Sequence, residues 1–224
     1  MIGFFLFFFS LLSAETVSVI IPCYYKHADH LPTLLEHLCH QTKLPDEVVI
    51  SLSEADKCDS MMLESLKNGH YPFKLKLLQT NQILRAGPNR NIACKQAKGD
   101  LLITQDADDI PHPQRVEILK FIFKHNPVDL VIHKWIPSDP GQMAQFYWGH
   151  YNASKIPVRK MKDANQLTTL SYITRGNIGI RKQVFEKIKW MDTGDIGEDA
   201  KFCIDACKKF TLCVIDANLL IYCQ

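Results

Sequence analysis

The chain has 224 residues, of which 46% are hydrophobic, and it carries a formal net charge of +2. This length and apolar content suffice for one substantial hydrophobic core, so a single folded domain is expected. The basic residues are scattered and form neither a nucleic-acid footprint nor a polybasic membrane patch. We therefore expect no nucleic-acid partner, and we expect any phosphate group to be bound locally.

Residues 1–15, MIGFFLFFFSLLSAE, form a hydrophobic leader whose apolar run extends from Ile2 to Leu12. The run is shorter than the roughly 20 residues that cross a bilayer as a helix. It is signal-like, but no Lys or Arg precedes it, and bulky Leu12 lies where a small residue is preferred for a cut after Ala14. A cleaved secretory signal, membrane association through an anchor at residues 2–12, and a cytoplasmic hydrophobic start all stay open.

Cysteine and histidine patterns give only weak signals. The eight cysteines include no C-x-x-C pair, and several fall in predicted helices, so buried reduced thiols are expected. The alternative is one or two disulfides that involve Cys58, Cys213 or Cys223. Four histidines between residues 27 and 40 form two H-x-x-H pairs, a spacing that only weakly indicates zinc.

Strands and helices alternate through the first part of the chain. An apolar stripe of four leucines at 31–38 predicts a helix behind a possible Asp29 cap, Gly87 and Pro88 open another that ends at Gly99, and Pro113 begins a third. Strands are predicted at 16–22, 46–53, 73–79, 101–105 and 128–133. Helical segments between strands indicate right-handed βαβ units and a largely parallel sheet.

The second part is less regular. Residues 141–150 predict a helix or a loop, and the polar, basic stretch at 154–166 predicts a loop. A strand at 172–180 is expected to lead into a helix at 181–188. A final helix at 198–210 precedes a closing strand at 212–216.

Three carboxylates, Asp106, Asp108 and Asp109, follow the buried strand at 101–105. Ligands bind outside the carboxyl ends of the strands in an open parallel sheet. Three like charges this close raise one another's pKa values unless a positive charge lies among them. Because Mg²⁺ and Mn²⁺ prefer carboxylate oxygens and leave positions open for phosphates, a metal and diphosphate site is one hypothesis. The alternative is a polar turn that caps the next helix.

Several segments, in this order and at these separations, resemble the family 2 glycosyltransferases of GT-A fold. They are VSVIIPCYY, DEVVISLS, GPNRNIACKQAKGDLLITQDADDIPHPQRVEIL and IGEDAKFCIDACKKF, and the likeness covers about residues 16–216. It implies an α/β, Rossmann-like GT-A domain over residues 16–224, with a mostly parallel central sheet flanked by helices. It also implies metal-dependent, inverting transfer of a sugar from a nucleotide-diphosphate sugar, with UDP as the expected nucleotide, to a hydroxyl of a glycan, lipid or protein acceptor. Mn²⁺ or Mg²⁺ is the implied cofactor.

The resemblance assigns the donor-binding residues to the strand ends. Pro22 and Tyr24 match the proline and aromatic residue that border the nucleotide base in this family. Ser53 stands near the place where the second strand usually ends in an Asp that bonds uracil. Arg90 resembles the arginine of the family's ARN segment, at the start of a helix whose free N–H groups also favour anions.

The resemblance assigns the chemistry to carboxylates. Asp106 and Asp108 match the D-x-D motif, in which the first residue lies toward the ribose or sugar and the second holds the metal, while Asp109 is expected to support them through water or by capping the next helix. Glu198 and Asp199 match the family's ED pair. Its Asp is the usual general base of inverting members, so Asp199 is the predicted base.

Two other function classes stay open beside the enzyme. A catalytically degenerate nucleotide- or sugar-binding domain would bind its ligand without turnover. A nucleotidyltransferase is expected to carry a glycine-rich loop after the first strand, and PCYYKHADH contains no glycine.

Overall fold

The structure is a computed structural model, and it describes residues 14–138, 149–163, 165–168, 176–192 and 197–223. The strands within these ranges are β1 (Val17–Tyr24), β2 (Glu47–Ser53), β3 (Lys74–Thr80), β4 (Leu101–Thr104), β5 (Ile110–Pro111), β6 (Leu130–Ser138), β7 (Val158–Met161), β8 (Ile178–Arg181) and β9 (Leu212–Cys223). The helices are α1 (Leu31–Cys39), α2 (Ser60–Asn68), α3 (Ala86–Gln96), α4 (Arg115–His125), α5 (Asn165–Thr168), α6 (Lys182–Lys187) and α7 (Glu198–Cys207).

All of these strands join one sheet in the order β3-β2-β1-β4-β8-β6-β9-β5, with β7 also paired to β9. The first four strands along the chain form its parallel part, because β1 pairs in parallel with β2 and β4, and β2 with β3. Their carboxyl ends consequently lie on one edge. Beyond β4 the sheet is mixed, since β8 runs antiparallel to both β4 and β6.

Helices cover both faces of this sheet, which confirms the predicted α/β architecture. Successive strand residues point to opposite faces, so Val19 and Ile21 of β1 join one core and Ile20 joins the other. The four leucines of α1 pack in the first core with residues of α2 and α4. Residues of α3, α6 and α7 pack in the second.

Several predicted boundaries change in the structure. Asp29 does not cap α1, because a 3-10 turn at 25–30 leads into the helix and His30 occupies the cap position. The predicted loop at 154–166 contains β7, which is ordered by pairing with β9. The closing strand extends to Cys223 because β9 continues along β6 and β5, and α2 lies in a segment for which no helix was predicted.

The cysteines and the leader give two further outcomes. All eight cysteines are free thiols, as the helix placement predicted. In the part of the chain that the structure describes, no helix is long and apolar enough to cross a membrane. The apolar run at 2–12 and most of the predicted helix or loop at 141–150 lie outside the described residues.

Candidate functional site

Two adjoining cavities lie beside the carboxyl ends of β1 and β4. The smaller, of about 170 Å³, is lined by residues that include Pro22, Tyr24, His27, Asn89, Asp106 and Asp108. The larger, of about 360 Å³, is lined by residues that include Tyr24, Ile83, Pro88, Met191 and Glu198. Both contain Tyr24, Leu84 and Ala86, so they form one continuous cleft. The cleft therefore lies where ligands bind in sheets of this kind.

A buried guanidinium, that of Arg90, connects the predicted donor and base residues. Arg90 lies on α3 and is 1% exposed. Its Nη1 atom lies 2.9 Å from Asp199 Oδ1 and 3.7 Å from Glu198 Oε1, and its Nη2 atom lies 3.0 Å from Asp106 Oδ1. One cation thus holds the D-x-D motif and the ED pair together, although they are far apart in the sequence.

Asp199, the predicted base, is anchored inside the fold. Beside Arg90, the Trp190 indole N–H donates to its Oδ1 at 2.7 Å, and the Gly176 backbone N–H donates to its Oδ2 at 3.4 Å. The Trp190 ring is itself fixed by a parallel stack on Phe202, with centroids 3.7 Å apart. Both oxygens of Asp199 therefore have protein donors, and its side chain is 3% exposed.

Gly176 is required at this point by its backbone and by its surroundings. Its φ of +62° is left-handed, and an added Cβ would lie 3.0 Å from the Asp106 carboxyl group. A side chain there would displace Asp106 or the segment that donates to Asp199. The contact of Gly176 with the D-x-D carboxylate depends on β8 lying beside β4.

Glu198 begins α7 and is more open than its neighbour. Its side chain is 22% exposed and lines the larger cavity. It is held only loosely, at 3.7 Å from Arg90. Within the ED pair, Glu198 is consequently the carboxylate that faces the cleft.

The pKa values of Asp106 and Arg90 are both raised, but by different causes. Burial raises the pKa of Asp106 to about 6, although Arg90 beside it acts to lower that pKa. Burial alone would lower the pKa of Arg90, but the surrounding carboxylates, Asp199 foremost, raise it above its ordinary value. Arg90 is therefore a permanent cation among carboxylates, one of which titrates near neutral pH.

Asp108 has a different partner, His27. The Nδ1 atom of His27 lies 3.0 Å from Asp108 Oδ2, and the two side chains are 45% and 30% exposed. His27 belongs to the 3-10 turn after β1 and lines the smaller cavity, whereas Arg90 lies on α3. Beyond the weak H-x-x-H pattern, no role was predicted for this histidine.

Asp109 does not cap the next helix, so one of its two predicted roles is wrong. Its Oδ1 accepts the backbone N–H of Cys223 on β9 at 3.0 Å, and Gln114, not Asp109, occupies the cap position of α4. Burial, with Asp106 adding to the effect, raises the pKa of Asp109 to about 9. Asp109 is therefore a structural carboxyl group that keeps its proton at neutral pH.

A second buried arginine, Arg115, holds the backbone next to Asp106 and Gly176 in place, and this role was not predicted from the sequence. It lies on α4 and donates to the carbonyl oxygens of Thr104 and Gly176 at 2.6 and 2.8 Å, and to the side chains of Gln105 and His133. Burial lowers the pKa of Arg115 to about 9. These bonds fix the end of β4 and the start of β8, from which Asp106 and Gly176 project.

Of the remaining residues predicted to bind the nucleotide-sugar donor, two lie in the cleft and one lies in the interior. Pro22 and Tyr24 line the smaller cavity. Ser53 is fully buried, and its hydroxyl donates to the Cys23 carbonyl at 3.4 Å, so its side chain is directed into the fold. The next residue, Glu54, has a left-handed φ of 52°, pairs with Lys57, and leaves its buried Oε2 atom without a hydrogen-bond partner.

Asn89 is a further cavity residue that sequence reasoning missed. Its Nδ2 donates to the Cys23 carbonyl at 3.0 Å, which fixes the orientation of the amide. Its buried Oδ1 has no hydrogen-bond partner. A buried acceptor without a donor costs about 1–3 kcal/mol, so a ligand whose hydrogen-bond donor reached this oxygen would relieve that cost.

The carboxylates fit a divalent cation that takes part of its ligands from a substrate. Asp106 and Asp108 line one cavity, and Mg²⁺ or Mn²⁺ is commonly held by one or two carboxylates together with phosphates and water. Among the residues that the structure describes, no three His, Cys, Asp or Glu side chains are arranged to hold a metal by themselves. The H-x-x-H pairs in that part of the chain accordingly belong to no such group.

Residues 18–189 match the family model described as "Glycosyl transferase family 2". A curated relative from Haemophilus influenzae, described as "Uncharacterized glycosyltransferase", is 26% identical over 178 residues, which are 79% of this chain and 56% of the relative. The chain thus spans little more than half the length of that protein.

Solved structures share the fold. Residues 1–349 of TarS from S. aureus, in complex with UDP, match with a TM-score of 0.69 and 19% identity over 93% of this chain and 60% of that one. The same TarS fragment in complex with UDP-GlcNAc matches with a TM-score of 0.70 and 19% identity, over 93% and 58% of the two chains. A mycobacterial protein matches with a TM-score of 0.63 and 13% identity, over 92% and 66%.

Proposed function

The chain belongs to glycosyl transferase family 2, and we propose that it transfers a sugar from a nucleotide-diphosphate sugar to an acceptor hydroxyl with the help of Mn²⁺ or Mg²⁺. The observation that carries this proposal is the shared cleft. Asp106 and Asp108 line it beside Pro22 and Tyr24, and Arg90 links Asp106 to the ED pair. A UDP-sugar is the proposed donor, in line with the TarS complexes with UDP and UDP-GlcNAc.

The donor would lie along the smaller cavity. Tyr24 and Pro22 offer an aromatic and a rigid apolar surface for the nucleotide base. A divalent cation bound by Asp106 and Asp108 would neutralise charge that develops on the departing diphosphate. Tyr24 also lines the larger cavity, so the sugar end of the donor can extend toward Glu198 and an acceptor.

The proposed reaction is a single displacement with inversion. The acceptor oxygen forms a bond to the anomeric carbon as the bond from that carbon to the diphosphate breaks, and a carboxylate takes the hydroxyl proton. The resemblance assigns this proton to Asp199. Glu198 is the competing candidate, because it lines the larger cavity while the oxygens of Asp199 accept bonds from Arg90, Trp190 and Gly176.

The first experiment is thermal unfolding of the purified chain with UDP, GDP, CDP and TDP, each with and without Mn²⁺. A ligand at 100 times its dissociation constant stabilises the folded state by about 2.7 kcal/mol, which is visible as a melting shift. We expect a Mn²⁺-dependent shift with UDP that Asp108→Asn abolishes while the melting temperature without ligand stays unchanged. Absence of any nucleotide-dependent shift would contradict the proposal.

A transfer assay then separates the enzyme from a binding domain. The chain is incubated with UDP-sugars and Mn²⁺, and released UDP is measured with and without candidate acceptors. Turnover that Asp108→Asn abolishes supports the enzyme. Tight UDP binding with no UDP release from any donor would favour the degenerate binding domain.

A further inference from the structure

His27 contacts a predicted metal ligand on the wall of the smaller cavity. It lies just beyond the end of β1, in the turn at 25–30, and lines this cavity together with Asp106 and Asp108. The family resemblance assigned no function to this position. Its location therefore raises the question of what an imidazole does beside the D-x-D carboxylates.

The contact between His27 and Asp108 joins one ring nitrogen to one carboxylate oxygen. The Nδ1 atom of His27 lies 3.0 Å from Asp108 Oδ2, so one ring nitrogen is already directed at the carboxylate that the resemblance assigns to the metal. The neighbouring rings are farther away, with centroids of Tyr24 and His30 at 6.3 and 6.2 Å. A half-exposed pair of this kind adds little stability by itself, so it can exchange its partner at small cost.

The other D-x-D carboxylate, Asp106, is less free to exchange its hydrogen-bond partner. Asp106 Oδ1 is held by Arg90 at 3.0 Å, and Gly176 packs against the carboxyl group. Of the two D-x-D carboxylates, Asp108 is therefore the one whose present partner a cation can replace. Neutral imidazole nitrogen is a common metal ligand, and a cation that takes Asp108 Oδ2 would lie within reach of Nδ1.

We infer that His27 is a ligand of the divalent cation at this site: its Nδ1 atom binds the ion that Asp108 and the donor diphosphate also bind. This inference rests on the proposed function. A mixed nitrogen and oxygen set favours Mn²⁺ over Mg²⁺, because Mg²⁺ strongly prefers oxygen ligands and first-row transition ions accept imidazole. His27 would thereby determine the metal preference of the site as well as its affinity.

The test is electron spin-echo envelope modulation of Mn²⁺ bound to the full chain with UDP. We expect nitrogen modulation from a directly bound imidazole in the parent protein and its loss in His27→Ala and His27→Gln. His30→Ala is the matched control, because His30 lies in the same turn and does not line the smaller cavity. Melting curves without ligand establish that each variant is folded, and two replacements guard against a fold defect in one of them.

Metal titrations give a second measure. We expect His27→Ala to weaken Mn²⁺ binding in the presence of UDP by roughly 10-fold or more and Mg²⁺ binding by less than about 3-fold, following the cost of perturbing metal-site residues. Persistent nitrogen modulation in both His27 variants, or its absence from the parent complex with Mn²⁺ bound, would overturn the inference and leave the proposed function standing. If no Mn²⁺ binds with UDP at all, the metal-dependent function fails together with the inference.

Discussion

Around the buried Arg90, Asp199 is bound inside the fold and the partly exposed Asp106 is held by the same guanidinium, whereas Asp108 in the same cleft pairs with a half-exposed histidine. The buried cluster has fixed donors on several elements, and its members depend on one another. The His27–Asp108 pair is open to solvent, with side chains that are 45% and 30% exposed. Carboxylates with related predicted roles thus have different physical functions: one group shapes the site, and the other is free to exchange partners with a ligand.

The largest expected effect comes from removing the cation of the buried cluster. Arg90→Met would leave Asp199 and Asp106 without their shared partner, and breaking a buried ion pair on one side costs about 3–5 kcal/mol. We expect the urea midpoint of unfolding to fall accordingly. Arg85→Met is the control, because its contact with Asp192 spans 3.4 Å between half-exposed side chains and should contribute less than about 1 kcal/mol. Equal losses in both variants would contradict the central role of Arg90.

The two adjacent residues of the ED pair show the same contrast, because Asp199 is buried and Glu198 is partly exposed. Asp199→Asn weakens charged hydrogen bonds to Arg90 and Trp190, and we expect a loss of about 1.5–3 kcal/mol in unfolding free energy. Glu198→Gln changes a partly exposed side chain and should stay within about 0.5 kcal/mol. Unfolding curves and UDP-release assays on both variants separate stability from chemistry. Lost turnover with unchanged stability in Glu198→Gln would identify Glu198 as the base.

Stability should also depend on pH through Asp109. Burial raises its pKa to about 9, above the ordinary 3.8 of the unfolded chain, so between these values the native state keeps a proton that the unfolded chain has lost. The contribution of this group to stability therefore falls as the pH rises from about 4 to about 9. Asp109→Asn should remove a slope of up to about 1.4 kcal/mol per pH unit from urea unfolding curves measured at pH 5 to 8. Identical slopes in both proteins would refute this expectation.

The parallel part of the fold was predictable because its signals are local. The β-branched run of β1, the leucine stripe of α1 and the glycine and proline before α3 each specify an element from neighbouring residues. The short strands β5 and β7 carry no such signal, since they are ordered by pairing with β9. Their existence depends on tertiary contacts that no local pattern contains.

The same distinction holds for the site. D-x-D and ED are short patterns, so the sequence indicated Asp106, Asp108, Glu198 and Asp199. Their partners were not predictable from local patterns. Arg90 and Asp199 are 109 positions apart in the sequence, and the backbone N–H that Asp109 accepts belongs to Cys223, 114 positions away. The prediction that Asp109 caps the next helix was wrong for this reason. Its carboxyl group accepts the backbone N–H of distant Cys223, not an N–H group of the helix that follows it.

The smallest expected effect concerns Asn89, which lines the smaller cavity. Asn89→Ala loses the bond to the Cys23 carbonyl but also removes the unpartnered Oδ1, so these changes partly cancel and stability should change by about 1 kcal/mol or less. Asn89→Asp keeps an acceptor but directs it at the Cys23 carbonyl, and we expect it to be the less stable variant. If an N–H or O–H group of the nucleotide donates a hydrogen bond to Oδ1, Asn89→Ala should weaken UDP binding by roughly 5-fold. Calorimetry with Mn²⁺ present measures this affinity. Unchanged UDP affinity in a folded Asn89→Ala protein would mean that the nucleotide makes no bond to this amide.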